Sequence, residues 1–401
     1  MTGLSFLGTG NYQPTFYQYK NRKFESAYFP VALHSLFSID ELFVVMTKEA
    51  KEKHGSELKK HLEYIEILIP SGKNEAEYYD MFEAIISRIP ENKPLIVDVT
   101  HGFRSQPMIA LASIVFMRFY NSVDVEGVYY GAYESRNIET NRSPVFDLTP
   151  FLDVIDWTFA IRRFKEKGDA SEMSYLMKEL HRRTYIEQHD YKAKRLQAAG
   201  KYFSKMTDAL SVIRPAEVTD YANHLKDMLP DLRSDLDNIP QTSPLALMFD
   251  DIENTVQKFT TSKRQGLFTP SGIRMQCTML NHYIEVGNSQ QALTLTIELC
   301  LSIACIYKNL DPLKKENRDD MSGRFYKIIN SEVSYHEDSI DSWEPELAEV
   351  ADLATQYRND VNHAGMRKDP KPATVIIEKS KELVNRLQNY IDKNNSDSNA
   401  S

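Results

Sequence analysis

Two groups of residues in this 401-residue chain have side chains suited to binding an anion or moving a proton. The first is Thr100-His-Gly102 with Arg104-Ser-Gln106, which follows an apolar run. The second is Arg358-Asn359 with His363, near the C-terminus. Histidine can act as a general acid or base near neutral pH, and arginine is a permanent planar cation that fits a phosphate. Both groups therefore predict sites for phosphate-containing ligands.

A strand–loop–helix unit must position the first group. Leu95-Ile-Val-Asp-Val99 is mostly apolar and β-branched, which is typical of a strand buried on both faces of a parallel sheet. Pro107 suits the first turn of a helix, and the apolar positions from Met108 to Phe119 have helical spacing. The group thus lies at the carboxyl end of a strand, where open α/β sheets bind ligands and helix amides can hold an anion. Asp98 is predicted to hold amides of its own loop rather than to touch the anion.

A glycine-containing turn, Gly8-Thr-Gly-Asn11, follows the first predicted strand, Leu4–Leu7. Glycines at this place let the backbone approach a phosphate closely. However, Gln13 breaks the dinucleotide fingerprint GxGxxG, so a plain turn is the alternative interpretation. The broken fingerprint also argues against a nicotinamide-dependent dehydrogenase.

The second group follows a predicted helix whose apolar residues, from Leu347 to Tyr357, form one stripe. Arg358 and His363 would lie about 140° apart around an ideal helix. They converge only if the helix bends or ends, and Gly365 is placed for such an end. The pair suits metal-free RNA cleavage, in which a ribose 2′-hydroxyl attacks its own phosphorus. One Arg–His pair provides few groups for both acid–base catalysis and charge stabilisation. We therefore infer a composite site made by two copies in a homodimer. The alternative is a surface arginine and a helix-terminal histidine with no catalytic role.

The order of strand and helix patterns predicts the domain organisation. Residues 1–150 alternate between the two and predict a doubly wound, Rossmann-like α/β domain, with a hairpin after the first strand and an edge strand at Val145–Leu148. Residues 151–270 predict a helical linker segment, and residues 271–395 predict a compact helical domain. Residues 396–401 are polar and predict a disordered tail.

Composition narrows the class of protein. A net charge of −9 and a pI near 5.7 argue against a protein that coats nucleic acid, but not against a local site. The three cysteines lack CxxC spacing, which indicates buried thiols rather than a metal site or disulfides. There is no signal-peptide pattern, and the longest apolar run, Met108–Met117, is too short to span a bilayer. These features predict a cytoplasmic protein that has no metal site and does not enter a membrane.

Three segments resemble a known family. Asp98-Val-Thr-His-Gly102 after a core strand resembles the DxTHG motif of CRISPR-associated proteins of type III systems. Arg358-Asn-Asp-Val-Asn-His363 resembles the R-x4-6-H motif of HEPN ribonucleases, and Ala292-Leu-Thr-Leu295 is similar to the first long helices of those domains. In this order the motifs resemble the CARF–HEPN ribonucleases. The resemblance covers essentially the whole chain, and the linker is its least specific part.

The resemblance implies a ligand-activated nuclease of antiviral defence. A CARF domain would bind cyclic oligoadenylate, of four or six adenylates, at the twofold interface of a homodimer, with higher assembly left open. Binding would activate a pair of HEPN domains that cut single-stranded RNA without metal or another cofactor. The residues implied to contact the activator are Gly8, Thr9, Gly10, Asn11, Thr100, His101, Gly102, Arg104, Ser105 and Gln106. Arg358 would stabilise phosphate charge, His363 would transfer a proton, and Asn359 would orient one of these groups.

Two related functions are the alternatives. In a ring nuclease, Thr9, His101 or Ser105 would align a ribose hydroxyl so that the CARF site itself cleaves the messenger. In a non-catalytic sensor or regulator, the C-terminal helices would bind a partner. Intact Arg358 and His363 and the acidic pI argue against the second alternative.

Overall fold

Two units make up the chain in the computed structural model, Met1–Asp153 and Val154–Ser401. The structure describes residues 1–102, 105–187, 194–237, 243–261, 266–332 and 339–397. Arg104, one of the predicted ligand residues, lies outside the described residues.

The first unit is built on one mixed β-sheet. Its strands are β1 (Thr2–Leu7), β2 (Thr15–Tyr19), β3 (Arg22–Ser26), β4 (Glu41–Thr47), β5 (Ile65–Ile69), β6 (Leu95–Asp98), β7 (Val125–Gly131) and β8 (Arg142–Asp147). The sheet order is β3-β2-β8-β7-β6-β1-β4-β5. The five strands from β7 to β5 are parallel, β8 is antiparallel to β7, and the β2–β3 hairpin joins through β2. All four residues of β6 are buried, as its apolar sequence predicts. This architecture is consistent with the predicted Rossmann-like domain.

The edge strand differs from the prediction. β8 includes Val145 but pairs with β7 on one side and with β2 on the other, so the edge at this side is β3. The segment after β1 therefore carries the hairpin past β6, β7 and β8. Pairing between strands so distant in sequence leaves no local pattern to predict it. As a result, residues 8–14 cross the carboxyl ends of β6 and β7.

Helices connect the parallel strands of this unit. They are α1 (Phe29–Phe37), α2 (Lys48–Ala50), a π-helical turn (Lys51–Gly55), α3 (Ser56–Leu58), α4 (Glu75–Ile86) and α5 (Gln106–Tyr120). A proline lies in the first turn of α1 and of α5, where its missing N–H costs no helix hydrogen bond. The predicted strand–loop–helix unit is thus observed as β6, its loop and α5.

The described residues after Pro150 form helices and turns without a strand. The helices are α6 (Pro150–Lys167), α7 (Ser171–His181), α8 (Leu196–Ser211), α9 (Pro215–Asp237), α10 (Ser243–Leu247), α11 (Phe249–Gln257), α12 (Pro270–Glu285), α13 (Ser289–Tyr307), α14 (Lys315–Ile329), α15 (Glu344–Asn362) and α16 (Ala373–Asp397). One hydrophobic cluster extends from Trp157 to Ile391, so the core does not stop at residue 270. The division into linker and HEPN domain stays a prediction. α16 continues to Asp397, so the first part of the predicted disordered tail is helical, and residues 398–401 lie outside the described residues.

One described helix, α13, is long and apolar enough to cross a membrane by length and composition. Sequence reading by apolar runs missed it because polar residues interrupt the run. In the structure, 67% of its apolar stretch is buried inside the protein. The core helix of a folded protein passes the same test, so this is weak evidence for a membrane span.

Candidate functional site

The loops after β1 and β6 meet at the carboxyl end of the first sheet. A Cβ atom on Gly8 would lie 2.6 Å from the carbonyl oxygen of His101, closer than real contacts allow. The Gly8 amide donates a hydrogen bond to the Tyr12 hydroxyl at 3.0 Å. Gly8 is therefore needed where two backbones touch, and its own amide is already engaged.

Two side chains of the π-helical turn form hydrogen bonds with the loop that follows β1. Lys53 Nζ donates to the Thr9 carbonyl and to Asn11 Oδ1, both at 2.8 Å. His54 Nε2 lies 2.8 Å from the Gly10 carbonyl, and its Nδ1 lies 3.2 Å from the Tyr28 hydroxyl. The carbonyls of Thr9 and Gly10 thus face the π-helical turn. The amides of Thr9 and Asn11 have no acceptor among the described residues. This geometry suits an anion above the loop.

The Asp98 side chain hydrogen-bonds the loop that follows β6. Its carboxylate is fully buried, accepts the Thr100 amide at 2.6 Å and also accepts the Ser5 hydroxyl. Burial raises the pKa of Asp98 to about 6. The Thr100 hydroxyl oxygen in turn accepts the Gly131 amide at 2.8 Å, which ties the loop to β7. Asp98 thus holds an amide of its own loop, as predicted.

His101, which is predicted to contact the activator, already has a backbone partner and an aromatic partner. Its Nε2 accepts the Phe29 amide at 3.1 Å, and its ring lies 4.1 Å from the Tyr12 ring. Exclusion of water, together with the nearby His54, lowers the pKa of His101 to about 3. The ring is therefore neutral near pH 7, and only its Nδ1–H is left to donate to a ligand.

A cavity of about 220 Å³ opens beside these two loops. It is lined by Asn11, Tyr12, Gln13, Tyr17, Ala27, Thr100, His101, Tyr130, Gly131, Tyr133 and Glu134. Whole-ligand pockets usually measure about 300–1,000 Å³, so this one suits a single group of a larger ligand. The sequence analysis found three of its residues and missed the four tyrosines and Glu134. The sequence could have predicted that Tyr130-Gly131 lies at the site, because β7 ends at the same edge of the sheet as β6.

The other predicted ligand residues lie at the start of α5. Ser105 immediately precedes α5 without capping it through its side chain. Gln106 is buried, and a Cβ on Gly102 would lie 3.2 Å from the Gln106 Cβ. The structure therefore brings Gly102 and Gln106 together beside the loop that carries His101.

The second motif lies at the C-terminal end of α15. The helix ends at Asn362, His363 follows as an exposed capping residue, and Ala364 and Gly365 have φ values of 53° and 67°. This left-handed ending is the helix end predicted from Gly365. Arg358 is half-buried and its Nε donates to Asn359 Oδ1 at 3.1 Å. Among the contacts between described residues, none joins Arg358 directly to His363.

Asp360 organises the segment that follows His363. It is 2% exposed, and its carboxylate accepts the Lys371 amide at 2.9 Å. Its backbone carbonyl accepts the Gly365 amide at 3.1 Å, so one residue holds both ends of the loop. From the other side, Gln290 at the start of α13 donates to Asn362 Oδ1 at 2.8 Å.

Comparison with known proteins gives two matches. Residues 2–134 match a family model described as the CARF domain of the CRISPR system endoribonuclease Csx1. The first unit contains a CARF domain. Over 171 residues the chain is also 27% identical to the CRISPR-associated protein MJ1674 of Methanocaldococcus jannaschii. That alignment covers 41% of this chain and 25% of the relative, so the chain spans about a quarter of the relative's length.

The family model ends at residue 134 and does not cover the helical unit. The HEPN resemblance therefore stays a prediction that rests on Arg358 and His363. Among the described residues, no three His, Cys, Asp or Glu side chains are grouped so that they could hold a metal ion.

Proposed function

We propose that this protein is an endoribonuclease of type III CRISPR defence that cyclic oligoadenylate activates and that works as a homodimer. The match of residues 2–134 to the CARF domain of a CRISPR endoribonuclease carries the proposal. A CARF domain implies sensing of a cyclic oligoadenylate, and the nuclease activity is the further step that needs testing.

The geometry of the CARF domain supports this ligand class. The amides of Thr9 and Asn11 offer donors to phosphates. The cavity beside them is aromatic, with Tyr130 and Tyr133 on its wall and Glu134 as a hydrogen-bond acceptor. An aromatic cavity of this size suits a flat base attached to a phosphate backbone.

The end of α15 supports RNA cleavage. His363 is exposed at a helix end, and Arg358 lies one turn earlier with its guanidinium oriented by Asn359. In the proposed reaction, His363 moves a proton at the 2′-hydroxyl or at the leaving 5′-oxygen. Arg358 stabilises the charge that develops on the phosphate as the 2′-oxygen attacks. A partner protomer would supply the second Arg–His set.

The test is cleavage of a fluorescent single-stranded RNA in EDTA, with and without cyclic tetra- or hexa-adenylate. Cleavage should require one of the two rings and should fall by at least about 100-fold in His363→Ala and in Arg358→Ala. His61→Ala is the matched control, because His61 is an exposed histidine of the first unit, next to Glu57, and should cut like the wild type.

Other outcomes separate the alternatives. Cutting that ignores the messenger would keep the nuclease and discard the switch. Intact RNA together with loss of the cyclic messenger would favour a ring nuclease. Binding of the messenger without any cleavage would favour a non-catalytic sensor.

A further inference from the structure

The loop between α15 and α16 follows the second motif directly and is exposed and cationic. It contains Arg367, Lys368 and Lys371 with a single acid, Asp369, in a chain whose net charge is −9. Residues 366–371 are all exposed. Arg367 has the Asp360 carboxylate nearby, whereas neither Lys368 nor Lys371 has a carboxylate partner among the described residues. These two ammonium groups are available to bind an anionic partner.

The same loop is held in one place. Asp360 accepts the Gly365 amide through its carbonyl and the Lys371 amide through its carboxylate. The Arg367 guanidinium lies 3.9 Å from that carboxylate. The Met366 amide donates to the His363 carbonyl at 2.8 Å, so the cationic segment begins directly at His363. A loop whose backbone is already held loses less entropy on binding an anion than a mobile loop does.

We propose that the segment Gly365–Lys371, called here the cationic loop, binds the phosphate backbone of the RNA substrate beside His363. Asp360 is its positioning residue. The proposal rests on the proposed ribonuclease function, which it deepens by naming the surface that holds the substrate. Point charges on lysines contact phosphates without reading bases, so the loop contributes affinity and little sequence preference.

Binding and cleavage can be tested separately in the full chain. His363→Ala prevents cleavage, so the affinity for a fluorescein-labelled single-stranded RNA can be measured by anisotropy over a range of salt concentrations, with the cyclic activator present. Adding Lys368→Gln and Lys371→Gln should raise Kd about tenfold at low salt. It should also reduce the slope of log Kd against log salt by about 1.4, because each lysine that neutralises a phosphate of a single strand contributes about 0.7.

The matched control removes the same charge elsewhere in the unit. Lys314 and Lys315 are exposed and lie beyond the C-terminal end of α13, whereas the motif is next to its N-terminal end. The 19 residues of α13 span about 28 Å. Lys314→Gln with Lys315→Gln should therefore leave Kd and the salt slope unchanged.

Asp360 is tested by a conservative and a disruptive change. Asp360→Asn keeps an oxygen that accepts the Lys371 amide and should retain Kd within about twofold. Asp360→Ala releases one end of the loop and should weaken binding about as much as the lysine pair. If the Asp360→Ala variant does not fold, the lysine variants and Asp360→Asn still test whether the cationic loop binds RNA.

Several results would overturn the proposal. They are an unchanged Kd and slope in the Lys368/Lys371 variant, equal weakening by both lysine pairs, and no RNA binding by the His363→Ala chain. Binding that follows the proposal while the wild-type chain never cuts RNA would support the cationic loop and reject the ribonuclease function. Normal cleavage with an unaffected KM in a Lys368/Lys371 variant that keeps His363 would support the ribonuclease function and reject the cationic loop.

Discussion

Exclusion of water sets the protonation of two neighbouring residues in the CARF site. Asp98 has a pKa of about 6 in the folded protein against its usual 3.8, so the folded protein binds more protons between these values. Stability from Asp98 is therefore lost as the pH rises from about 4 to about 6.

His101 has a pKa of about 3 against its usual 6.5, so here the unfolded chain binds more protons. Stability from His101 is lost as the pH falls from about 6.5 to about 3, a range that includes the window of Asp98. The two contributions oppose each other.

Asp98→Asn should expose the contribution of His101. An asparagine can accept the Thr100 amide and donate to the Ser5 hydroxyl, so the contacts survive while the titration disappears. The free energy of opening β6 should then rise with pH by about 1.4 kcal/mol per unit between about pH 4 and pH 6, whereas the wild type stays nearly flat. Hydrogen exchange of the β6 amides, corrected for intrinsic exchange rates, measures this slope. Tryptophan fluorescence does not report on this unit, because both tryptophans, Trp157 and Trp343, follow residue 153. Equal slopes in the two proteins would contradict the assignment.

Gly8→Ala should destabilise the CARF domain by about 1–3 kcal/mol. The new methyl group would meet the His101 carbonyl, and backbone cannot rotate away as a side chain can. Gly10→Ala is the control, because its nearest neighbour is the Tyr12 ring at 3.1 Å, which can move. Thermal unfolding and exchange of the β1 amides compare the two. A larger loss for Gly10→Ala would argue against the close-approach explanation.

At the scale of elements, buried charge fixes the start of the helix that carries Arg358. Glu344 in the first turn of α15 is fully buried and forms ion pairs with Arg324 of α14 and, at 3.6 Å, with Lys308 after α13. It also accepts the Asp341 amide at 2.9 Å. The hydrogen bonds and ion pairs with Arg324, together with Lys308, keep the pKa of Glu344 below its usual range despite its burial. Three helices therefore converge on one carboxylate.

Glu344→Gln should lower the free energy of unfolding of the helical unit by about 3–5 kcal/mol, because Arg324 loses its buried counter-charge, while Lys308 keeps its pair with Asp341. Glu349→Gln on the same helix is the matched control. Its pair with Arg386 is more exposed and should cost less than about 1 kcal/mol. Urea unfolding followed by tryptophan fluorescence measures both, since Trp343 lies 5.1 Å from the Tyr307 ring next to this network.

The same network implies a dependence on pH. A depressed carboxyl pKa means that the stability from Glu344 is present above the usual glutamate pKa of 4.5 and is lost as the pH falls below it. The Glu344→Gln protein should therefore lose less stability on acidification than the wild type. A steeper loss in the variant would show that other groups dominate the acid sensitivity.

At the scale of the whole molecule, we expect the proposed nuclease site to need two chains. Arg358 and His363 of one chain make no direct contact among the described residues, and a single set lacks a second acid–base group. If each site is composite, one inactive protomer disables the dimer that contains it.

Mixing wild-type chain with excess His363→Ala chain, under conditions that allow subunit exchange, should reduce activity as the square of the wild-type fraction. His61→Ala chain, mixed in the same proportion, should leave activity unchanged. Cleavage rates of labelled RNA over a series of mixing ratios give the exponent. A linear decrease would mean that each protomer works alone.

Local sequence patterns determined the features that depend on near neighbours. The strand–loop–helix unit around Leu95–Phe119, the α/β character of the first 150 residues, the helical character of the rest and the helix end at Gly365 are all as predicted. Such features depend on hydrophobic period, proline and glycine, which act over a few residues. Of the CARF–HEPN resemblance, the CARF part is supported by the family match, and the HEPN part stays a prediction.

Only the tertiary structure decided what depends on distant contacts. The hairpin lies beyond β8, so the β1 loop crosses the carboxyl ends of β6 and β7 and brings Tyr12 against His101. That placement forms the tyrosine-lined cavity and removes the charge of His101 by excluding water. Likewise, the Asp360 carboxylate holds the cationic loop through the Lys371 amide, a contact across 11 residues. Strand neighbours and solvent exclusion arise from residues far apart in the chain, and a local pattern contains no information about them.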